Sequence, residues 1–403
     1  MSSRSPKLTD LFLWLAGLAA FAILLWLFFT AAGRSAPEPT SPSIVLVTST
    51  PTLEATPTLE SVWHFIVTPT PGGPLYEQPT LPPPPPVIYP PVPRARSGFL
   101  FGGQVLDFKA PDKMHYAGMG WVKWQINEGD TNAVERINRG HEKGFKVLLT
   151  VIGAPSRVTD DSYYAQYAAY VSNLAANGAD AIEVWNEPNI ARDWPSGQIS
   201  PTLYIQILKP SYEAIKAANP NTLVISAAQA ATLVGQSLRT ANFWTEVDYT
   251  TDFVMSAGLL YTDCVGVHYN VGTTAPDATD PNLKGDAAFV YFPRLLEYYA
   301  VLTKGTRPIC ITELGYLTDD GYDPLSTVAP DFNWAQNTTV QDQAKWQAHA
   351  ASLGLGSPLI EMIIVWNVDF WAYGADPHAG YAIIRKDGGC PACDALHALG
   401  LGG

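Results

Sequence analysis

Residues 146–186 read KVLLTVIGAPSRVTDDSYYAQYAAYVSNLAANGADAIEVWN. Short apolar runs rich in β-branched residues, 146–152 and 181–186, flank a longer stretch at 161–177 with a helical pattern. A strand, a helix and a second strand in this order are typical of a parallel βαβ unit. This stretch therefore predicts the building block of an α/β fold with a parallel sheet.

The same alternation continues along residues 94–403, which are enough for a (β/α)8 barrel, or TIM barrel. The pattern predicts eight strands, at 99–105, 120–126, 146–152, 181–186, 222–227, 264–269, 309–313 and 362–367. It predicts helices at 131–143, 161–177, 201–219, 242–257, 293–302, 339–353 and 391–399, with a short segment at 111–116. An open doubly wound sheet is an alternative, but it normally has a glycine-rich phosphate loop after its first strand, and none is present. Two separate domains would need a second linker, and the composition shows no such break.

Three segments precede the predicted barrel. Residues 11–32, LFLWLAGLAAFAILLWLFFTAA, carry no charge and are long enough for a transmembrane signal-anchor, since about 20 apolar residues span a bilayer core. Arg4 and Lys7 precede this segment, which predicts a cytoplasmic stub at 1–10 and places the rest of the chain outside. A cleaved signal peptide is the alternative, although its apolar region is usually shorter. Residues 33–93 contain half of the 34 prolines and repeated Thr-Pro pairs, so we expect a disordered Pro/Thr-rich linker.

The chain is acidic and poor in charged residues. Charged residues make up 15% of the 403, and the formal net charge is −13. A protein that binds a nucleic-acid backbone needs clustered Lys and Arg, so this balance argues against nucleic acid as a partner. The hydrophobic fraction of 47% with 11% aromatic residues is typical of a chain that is mostly folded.

Two glutamates follow the ends of predicted strands, where parallel barrels place their catalytic groups. Glu187 lies in WNEPN at 185–189, after the fourth strand, and Glu313 lies in ITELG at 311–315, at the end of the seventh. Strands four and seven lie on roughly opposite sides of an eight-stranded ring, so the two carboxylates should face each other across its mouth. One protonated and one ionised carboxylate across a cleft are what glycoside hydrolysis requires.

These two motifs carry a family resemblance. EVWNEPN at 183–189 and ITELGY at 311–316 resemble the strand-four and strand-seven signatures of clan A glycoside hydrolases, a large group of retaining (β/α)8 enzymes. The resemblance follows the whole predicted barrel as an ordered series of strand ends, and it is nearest to glycoside hydrolase family 39 and the family 5 cellulases. It implies that Glu187 is the acid/base, that Asn186 contacts the sugar 2-hydroxyl and that Glu313 is the nucleophile.

The resemblance also implies further substrate-binding residues. His268, followed by Tyr269, ends the sixth strand near the expected nucleophile, and Lys123 ends the second, where related enzymes often have a basic residue. Trp366 ends the eighth strand, where the clan has a tryptophan beneath the scissile sugar. A buried barrel histidine and a core tryptophan are the structural alternatives for His268 and Trp366. Strand parity turns Glu183 into the barrel, where we expect it to belong to a buried polar layer.

Cysteines and loop aromatics complete the candidate residues. Cys264 and Cys310 lie on neighbouring predicted strands, but parity turns them to opposite faces, so no bond is expected between them. Cys390 and Cys393 form an isolated CxxC, which lacks the second pair of ligands that a zinc site needs and predicts a local disulfide. Loop aromatics that could stack on sugars, or simply pack within their loops, are Trp194, Trp334, Trp371 and Tyr373.

Together these features predict a membrane-anchored, extracytoplasmic, retaining glycoside hydrolase that acts on oligo- or polysaccharides. Carbohydrate is the expected substrate, the membrane is the expected partner of the N-terminal helix, and no metal or cofactor is implied. The alternatives are a transglycosylase that uses the same site and a catalytically silent, carbohydrate-binding surface protein. A retaining site predicts nearest carboxyl oxygens of Glu187 and Glu313 about 5–5.5 Å apart.

Overall fold

The computed structural model describes residues 98–232, 237–278 and 292–401. The predicted cytoplasmic stub, transmembrane segment and linker, which together make up residues 1–93, lie outside the described residues. Among the described residues, every helix is too short or too polar to cross a bilayer.

Eight parallel strands form a closed barrel, in which each strand pairs with its neighbours in sequence and the last pairs with the first. The strands are β1 (Leu100–Gln104), β2 (Trp121–Asn127), β3 (Lys146–Ile152), β4 (Ala181–Val184), β5 (Leu223–Ser226), β6 (Cys264–Tyr269), β7 (Ile309–Leu314) and β8 (Ile360–Val365). The helices are α1 (Pro111–Tyr116), α2 (Ala133–Glu142), α3 (Asp161–Ala176), α4 (Pro201–Ala218), α5 (Glu246–Met255), α6 (Phe292–Thr303), α7 (Leu325–Val328), α8 (Val340–Gly356), α9 (His378–Tyr381) and α10 (Pro391–His397). The predicted (β/α)8 barrel is confirmed.

Local sequence explains where the longer helices begin. The side chain of Asp160 accepts a hydrogen bond from the backbone N–H of Ser162 and caps α3. Ser200 caps α4, whose first residue is a proline. Thr339 and Asp342 form a reciprocal capping box at the start of α8. These caps fix the points at which the loops above the barrel return to the helical layer.

The barrel interior changes from apolar to polar towards its mouth. One layer is a buried apolar cluster of Trp121, Leu148, Ala181, Leu223, Ile225, Cys264, Cys310, Met362 and Ile364. Two residues further along several of these strands, on the same face, lie Lys123, Thr150, Glu183 and Thr312, which are also fully buried. The polar layer lies directly beneath the strand ends that hold the candidate catalytic residues.

The structure corrects one cysteine prediction. Cys264 and Cys310 are joined by a disulfide, with their Cα atoms 5.8 Å apart. The prediction of no bond is wrong because the register between β6 and β7 shifts after Val267, so counting residues along β7 no longer gives the face correctly. The expected local disulfide between Cys390 and Cys393 is present, at the start of α10.

Candidate active site

A cleft of about 1190 Å³ lies at the C-terminal ends of the strands. Its lining includes Asn186, Glu187, Glu313 and Trp366, four of the residues selected from the sequence. Parallel barrels carry their functional sites at this end, because the loops that leave the strands meet there. The cleft therefore brings the motifs after strands four, seven and eight into one cavity.

A sharp turn delivers Glu187 to this cleft. β4 ends at Val184, two residues earlier than predicted, because Trp185 and Glu187 have positive φ angles of 76° and 38°, which a strand does not allow. The backbone N–H of Glu187 then donates to the carbonyl of Ala228, 3.0 Å away, beyond the end of β5. The turn leaves Asn186 and Glu187 at the mouth rather than within the sheet.

The two glutamates lie close together. A side-chain oxygen of Glu187, one of Glu313 and a ring nitrogen of His268 all lie within 4.8 Å of one another. Each glutamate is buried, with 5% of its surface exposed. Retaining glycosidases have carboxyl groups about 5–5.5 Å apart, whereas inverting enzymes have them about 6.5–9.5 Å apart. The two oxygens are thus closer than the expected distance of about 5–5.5 Å, and their spacing is well below the range of inverting enzymes.

His268 lies between the two carboxylates. Its Nδ1 forms a hydrogen bond of 2.8 Å with Glu187 Oε1 and lies 3.6 Å from Glu313 Oε2. Burial lowers the pKa of His268, but the charges of Glu313 and Glu187 outweigh it, so its pKa is raised above the usual value. This environment favours a protonated ring that donates to Glu187.

The pKa of Glu187 responds to the same neighbours. Burial raises the pKa of this carboxyl group, while the hydrogen bond and charge of His268 and the charges of Arg192 and Lys123 lower it. The net effect is a pKa below the usual value for glutamate. These neighbours therefore favour the carboxylate form of Glu187.

Lys123 connects Glu313 to the polar layer of the barrel. Its fully buried Nζ donates to the backbone carbonyl of Thr312 at 3.0 Å and lies 3.3 Å from Glu313 Oε1 and 3.5 Å from Glu183 Oε2. Glu183 also accepts hydrogen bonds from Thr150 Oγ1 at 2.6 Å and Thr312 Oγ1 at 2.8 Å. The predicted place of Glu183 in a buried polar layer is confirmed. Lys123 has no exposed surface and is not part of the cleft lining, so the expectation that it binds substrate is corrected: it contacts the candidate nucleophile from below.

Asn270, which follows His268 and Tyr269 at the mouth of the barrel, also contacts Glu313. Its Nδ2 donates to Glu313 Oε2 at 3.2 Å, and its side chain lines the cleft. Asn270 lies two residues after His268, so the period of the strand points both side chains to the same side. This two-residue alternation is the sequence feature that places Asn270 on the same side as His268.

The loop after β4 holds three successive motif residues. Trp185 Nε1 donates to the backbone carbonyl of Asp193 at 2.9 Å, and Asn186 Nδ2 donates to Asp193 Oδ2 at 2.6 Å. The guanidinium of Arg192 contacts Glu187 Oε2 directly. Arg192 and Asp193 were not identified from the sequence, because their contacts depend on how this loop folds back.

Trp366 lies where it was expected. It is half-buried and lines the cleft, with its ring edge-on to Tyr381 at 4.5 Å and to His378 at 5.4 Å between centroids. These rings form an aromatic wall beside the carboxylates. Such a wall can bury the apolar face of a sugar ring.

The four loop aromatics lie in different environments. Trp334 lines the cleft, whereas Trp194 is buried in the hydrophobic core. Trp371 is 52% exposed and is not part of the cleft lining. Tyr373 stacks on Tyr322, with ring centroids 4.3 Å apart. Of these four candidates, only Trp334 is positioned to meet a ligand in the cleft.

Tyr269 does not reach the cleft. It is 1% exposed, and its ring packs edge-on against Phe292 at 5.2 Å and Tyr316 at 5.8 Å. Successive side chains of a strand point to opposite faces, so Tyr269 points away from the barrel interior that His268 occupies. The expectation that Tyr269 binds substrate is therefore corrected.

Glu187, His268 and Glu313 are also the one set of side chains in the described part of the chain that could hold a metal ion. Cationic side chains already contact both carboxylates, since Lys123 lies beside Glu313 and Arg192 beside Glu187. A divalent cation placed there would be repelled by both. The arrangement suits acid–base chemistry of two carboxylates better than a metal centre.

The barrel is similar to solved structures of other proteins. A GH53 catalytic domain from Ignisphaera aggregans matches with a TM-score of 0.52 and 17% identity, over 78% of this chain and 99% of that one. A glucosidase from Croceicoccus marinus matches with a TM-score of 0.52 and 13% identity, over 75% of this chain and 67% of that one. At these identities the likeness shows the fold, which is the barrel that the resemblance to clan A implies. The chain matches no protein-family model, and no curated protein matches it.

Proposed function

We propose that the chain is a retaining glycoside hydrolase that cleaves O-glycosidic bonds of oligo- or polysaccharides by double displacement. One observation carries the proposal: side-chain oxygens of Glu187 and Glu313 lie within 4.8 Å of each other in one cleft. This spacing suits direct attack by a carboxylate, whereas inversion needs room for a water molecule between base and sugar. The motif resemblance and the glucosidase of similar fold support the same class.

Glu313 is the proposed nucleophile. Lys123 Nζ and Asn270 Nδ2 lie 3.3 and 3.2 Å from its two oxygens, which fixes the orientation of the carboxyl group. In the first step a Glu313 oxygen bonds to the anomeric carbon while the bond to the leaving oxygen breaks. The product of this step is a glycosyl ester on Glu313.

Glu187 is the proposed acid/base. It gives its proton to the leaving oxygen in the first step and takes a proton from the water that breaks the ester in the second. Asn186 lies beside it, and its buried Oδ1 accepts no hydrogen bond from the described residues. A sugar 2-hydroxyl would satisfy this acceptor.

An activity screen tests the proposal. Aryl β-xylosides, β-glucosides and α-arabinosides and polymeric glucans would be offered to the full-length protein and to Glu187→Gln and Glu313→Gln. We expect turnover of at least one substrate by the native protein and its loss in both variants. Glu297→Gln, which changes an exposed carboxylate in α6, is the matched control and should remain active. Transfer of the sugar to an added sugar rather than to water would identify a transglycosylase, and sugar binding without turnover by the native protein would identify a silent module.

Azide separates the two roles. In Glu187→Ala, azide needs no base to attack the glycosyl-enzyme, so it should restore turnover of aryl glycosides and yield a glycosyl azide of retained configuration. In Glu313→Ala the azide would take the place of the nucleophile, and the product should be inverted. The loss in Glu187→Ala should be about 10²–10⁴-fold for unactivated substrates, the usual value of general acid–base assistance. If Glu187→Ala gave the inverted azide and Glu313→Ala the retained one, Glu313 would be the acid/base and Glu187 the nucleophile.

We also propose that residues 11–32 anchor the catalytic domain to the outer face of a membrane. The proposal rests on the uncharged length of this segment and on the basic residues that precede it. The purified native protein should then begin near Met1 and need detergent to stay in solution. A mature N-terminus near Gly33 would contradict an uncleaved anchor.

A further inference from the structure

Arg192 is an exposed cation beside Glu187. Its guanidinium contacts Glu187 Oε2, and its side chain lines the cleft with 61% of its surface exposed. The proposed first step requires Glu187 to be protonated, yet a carboxylate bound to a guanidinium resists protonation. The contact seen in the structure therefore suits only one of the two steps that Glu187 must perform.

Several titratable groups face Glu187, and they differ in how exposed they are. The groups are Lys123 of β2, His268 of β6, Glu313 of β7, Glu246 of α5, Tyr381 of α9 and Arg192 of its own loop. The side chains of the other two cations, Lys123 and His268, are fully buried. Arg192 is the cation in this set that is exposed enough to leave Glu187 without a rearrangement of the barrel.

Asp193 is the second carboxylate that the guanidinium contacts. Arg192 Nε lies 3.3 Å from Asp193 Oδ1, and a terminal nitrogen of Arg192 lies 3.4 Å from Asp193 Oδ2. Asp193 is itself fixed, because its Oδ2 accepts a hydrogen bond of 2.6 Å from Asn186. The guanidinium therefore contacts both carboxylates at once, and Asp193 would keep it in place if Glu187 were protonated.

We propose that Arg192 is a positioning residue that bridges Glu187 and Asp193 while Glu187 is ionised, and that it stays with Asp193 alone when Glu187 is protonated. The proposal rests on the acid/base role of Glu187. In the first step Glu187 gives its proton to the leaving oxygen, and Arg192, held by Asp193, then also pairs with the carboxylate that remains. In the second step Glu187 takes a proton from water, and Arg192 loses its pairing with Glu187 but keeps its pairing with Asp193.

The charge of Arg192 should affect the pH profiles of kcat/KM and kcat. Without the charge of Arg192, the pKa of Glu187 should be higher. The alkaline limb of kcat/KM for a substrate with a poor leaving group needs protonated Glu187, so it should move to higher pH in Arg192→Gln. The acidic limb of kcat for an activated aryl glycoside needs ionised Glu187 in the second step, and it should move in the same direction. A residue with a merely structural role would lower the rates without moving either limb.

The direct experiment titrates Glu187 itself. The full-length protein is labelled with glutamate carrying ¹³C at its carboxyl carbon, and the Glu187 signal is assigned by its loss in Glu187→Gln. We expect its titration midpoint to lie at higher pH in Arg192→Gln than in the native protein, and to stay close to the native value in Arg192→Lys, which keeps the charge. Arg136→Gln is the matched control, because Arg136 also lines the cleft but pairs with Asp130.

The outcomes are distinct. A midpoint that is unchanged in Arg192→Gln, or that moves equally in Arg136→Gln, would overturn the proposal, as would pH limbs that stay in place. The titration does not depend on turnover. If the midpoint moves as expected but neither the native protein nor any variant cleaves a glycoside, the proposed function and the catalytic role of the ion pair are both wrong. The effect of Arg192 on the pKa of Glu187 would still be established.

Discussion

Replacing Lys123 by methionine should destabilise the barrel far more than an ordinary ion-pair deletion. The ammonium group lies 3.3 Å from Glu313 and 3.5 Å from Glu183, and its side chain has no exposed surface. At an effective dielectric constant of about 20, each such contact has a Coulomb energy of about 5 kcal/mol. Removing the cation leaves two buried carboxylates, and breaking a buried ion pair typically costs about 3–5 kcal/mol. Urea unfolding at pH 7, followed by tryptophan fluorescence, measures the loss.

Two further variants decide whether burial and charge are the cause. Lys146 lies 2.8 Å from Asp180, but its side chain is 64% exposed, so Lys146→Met should cost less than about 1 kcal/mol. Adding Glu183→Gln to Lys123→Met removes one of the stranded charges and should recover part of the loss. A cost below about 1 kcal/mol for Lys123→Met, or no recovery in the double variant, would refute this electrostatic account of the polar layer.

A disulfide, a tryptophan of the cleft and the histidine between the carboxylates each predict a measurable change. Replacing Cys264 and Cys310 by alanine should lower the free energy of unfolding by up to about 4 kcal/mol in urea without reductant, since the bond closes a loop of 46 residues. Trp366→Ala should reduce kcat/KM by about tenfold through lost stacking, whereas Trp371→Ala should not. The raised pKa of His268 means that its protonated form stabilises the fold at low pH and that this contribution fades as pH rises through the folded-state value. The stability difference between the native protein and His268→Gln, measured by urea unfolding, should therefore be largest below about pH 6 and shrink at alkaline pH.

The barrel was predictable because its strands are apolar, short and regularly separated by helical segments, and this pattern follows directly from burial on both faces of a parallel sheet. Two local features were not. The early end of β4 depends on positive φ angles at Trp185 and Glu187, and neither residue type indicates such an angle. The disulfide between Cys264 and Cys310 depends on a register shift between β6 and β7 that a count of alternating residues misses.

The site was predictable where a side chain leaves the end of a strand. Glu187, Glu313 and Trp366 were placed from strand order and motif, and the structure brings all three into one cleft. Tyr269 was wrongly assigned to the cleft because the motif consists of consecutive residues, whereas only alternate side chains of a strand face the cleft. Arg192 was missed because it reaches Glu187 through the fold of a loop, and loop geometry is not encoded in a periodic pattern.

Double displacement requires Glu313 to form a covalent bond to the sugar. Activated 2-deoxy-2-fluoro glycosides, matched to the aryl glycoside that is turned over, slow the second step and allow the intermediate to accumulate. Mass spectrometry of the digested protein should then find one sugar on the peptide that contains Glu313, and none in Glu313→Gln. A label on Glu187 would reverse the assignment of the two carboxylates. Turnover with inverted product and no label would contradict double displacement at this site.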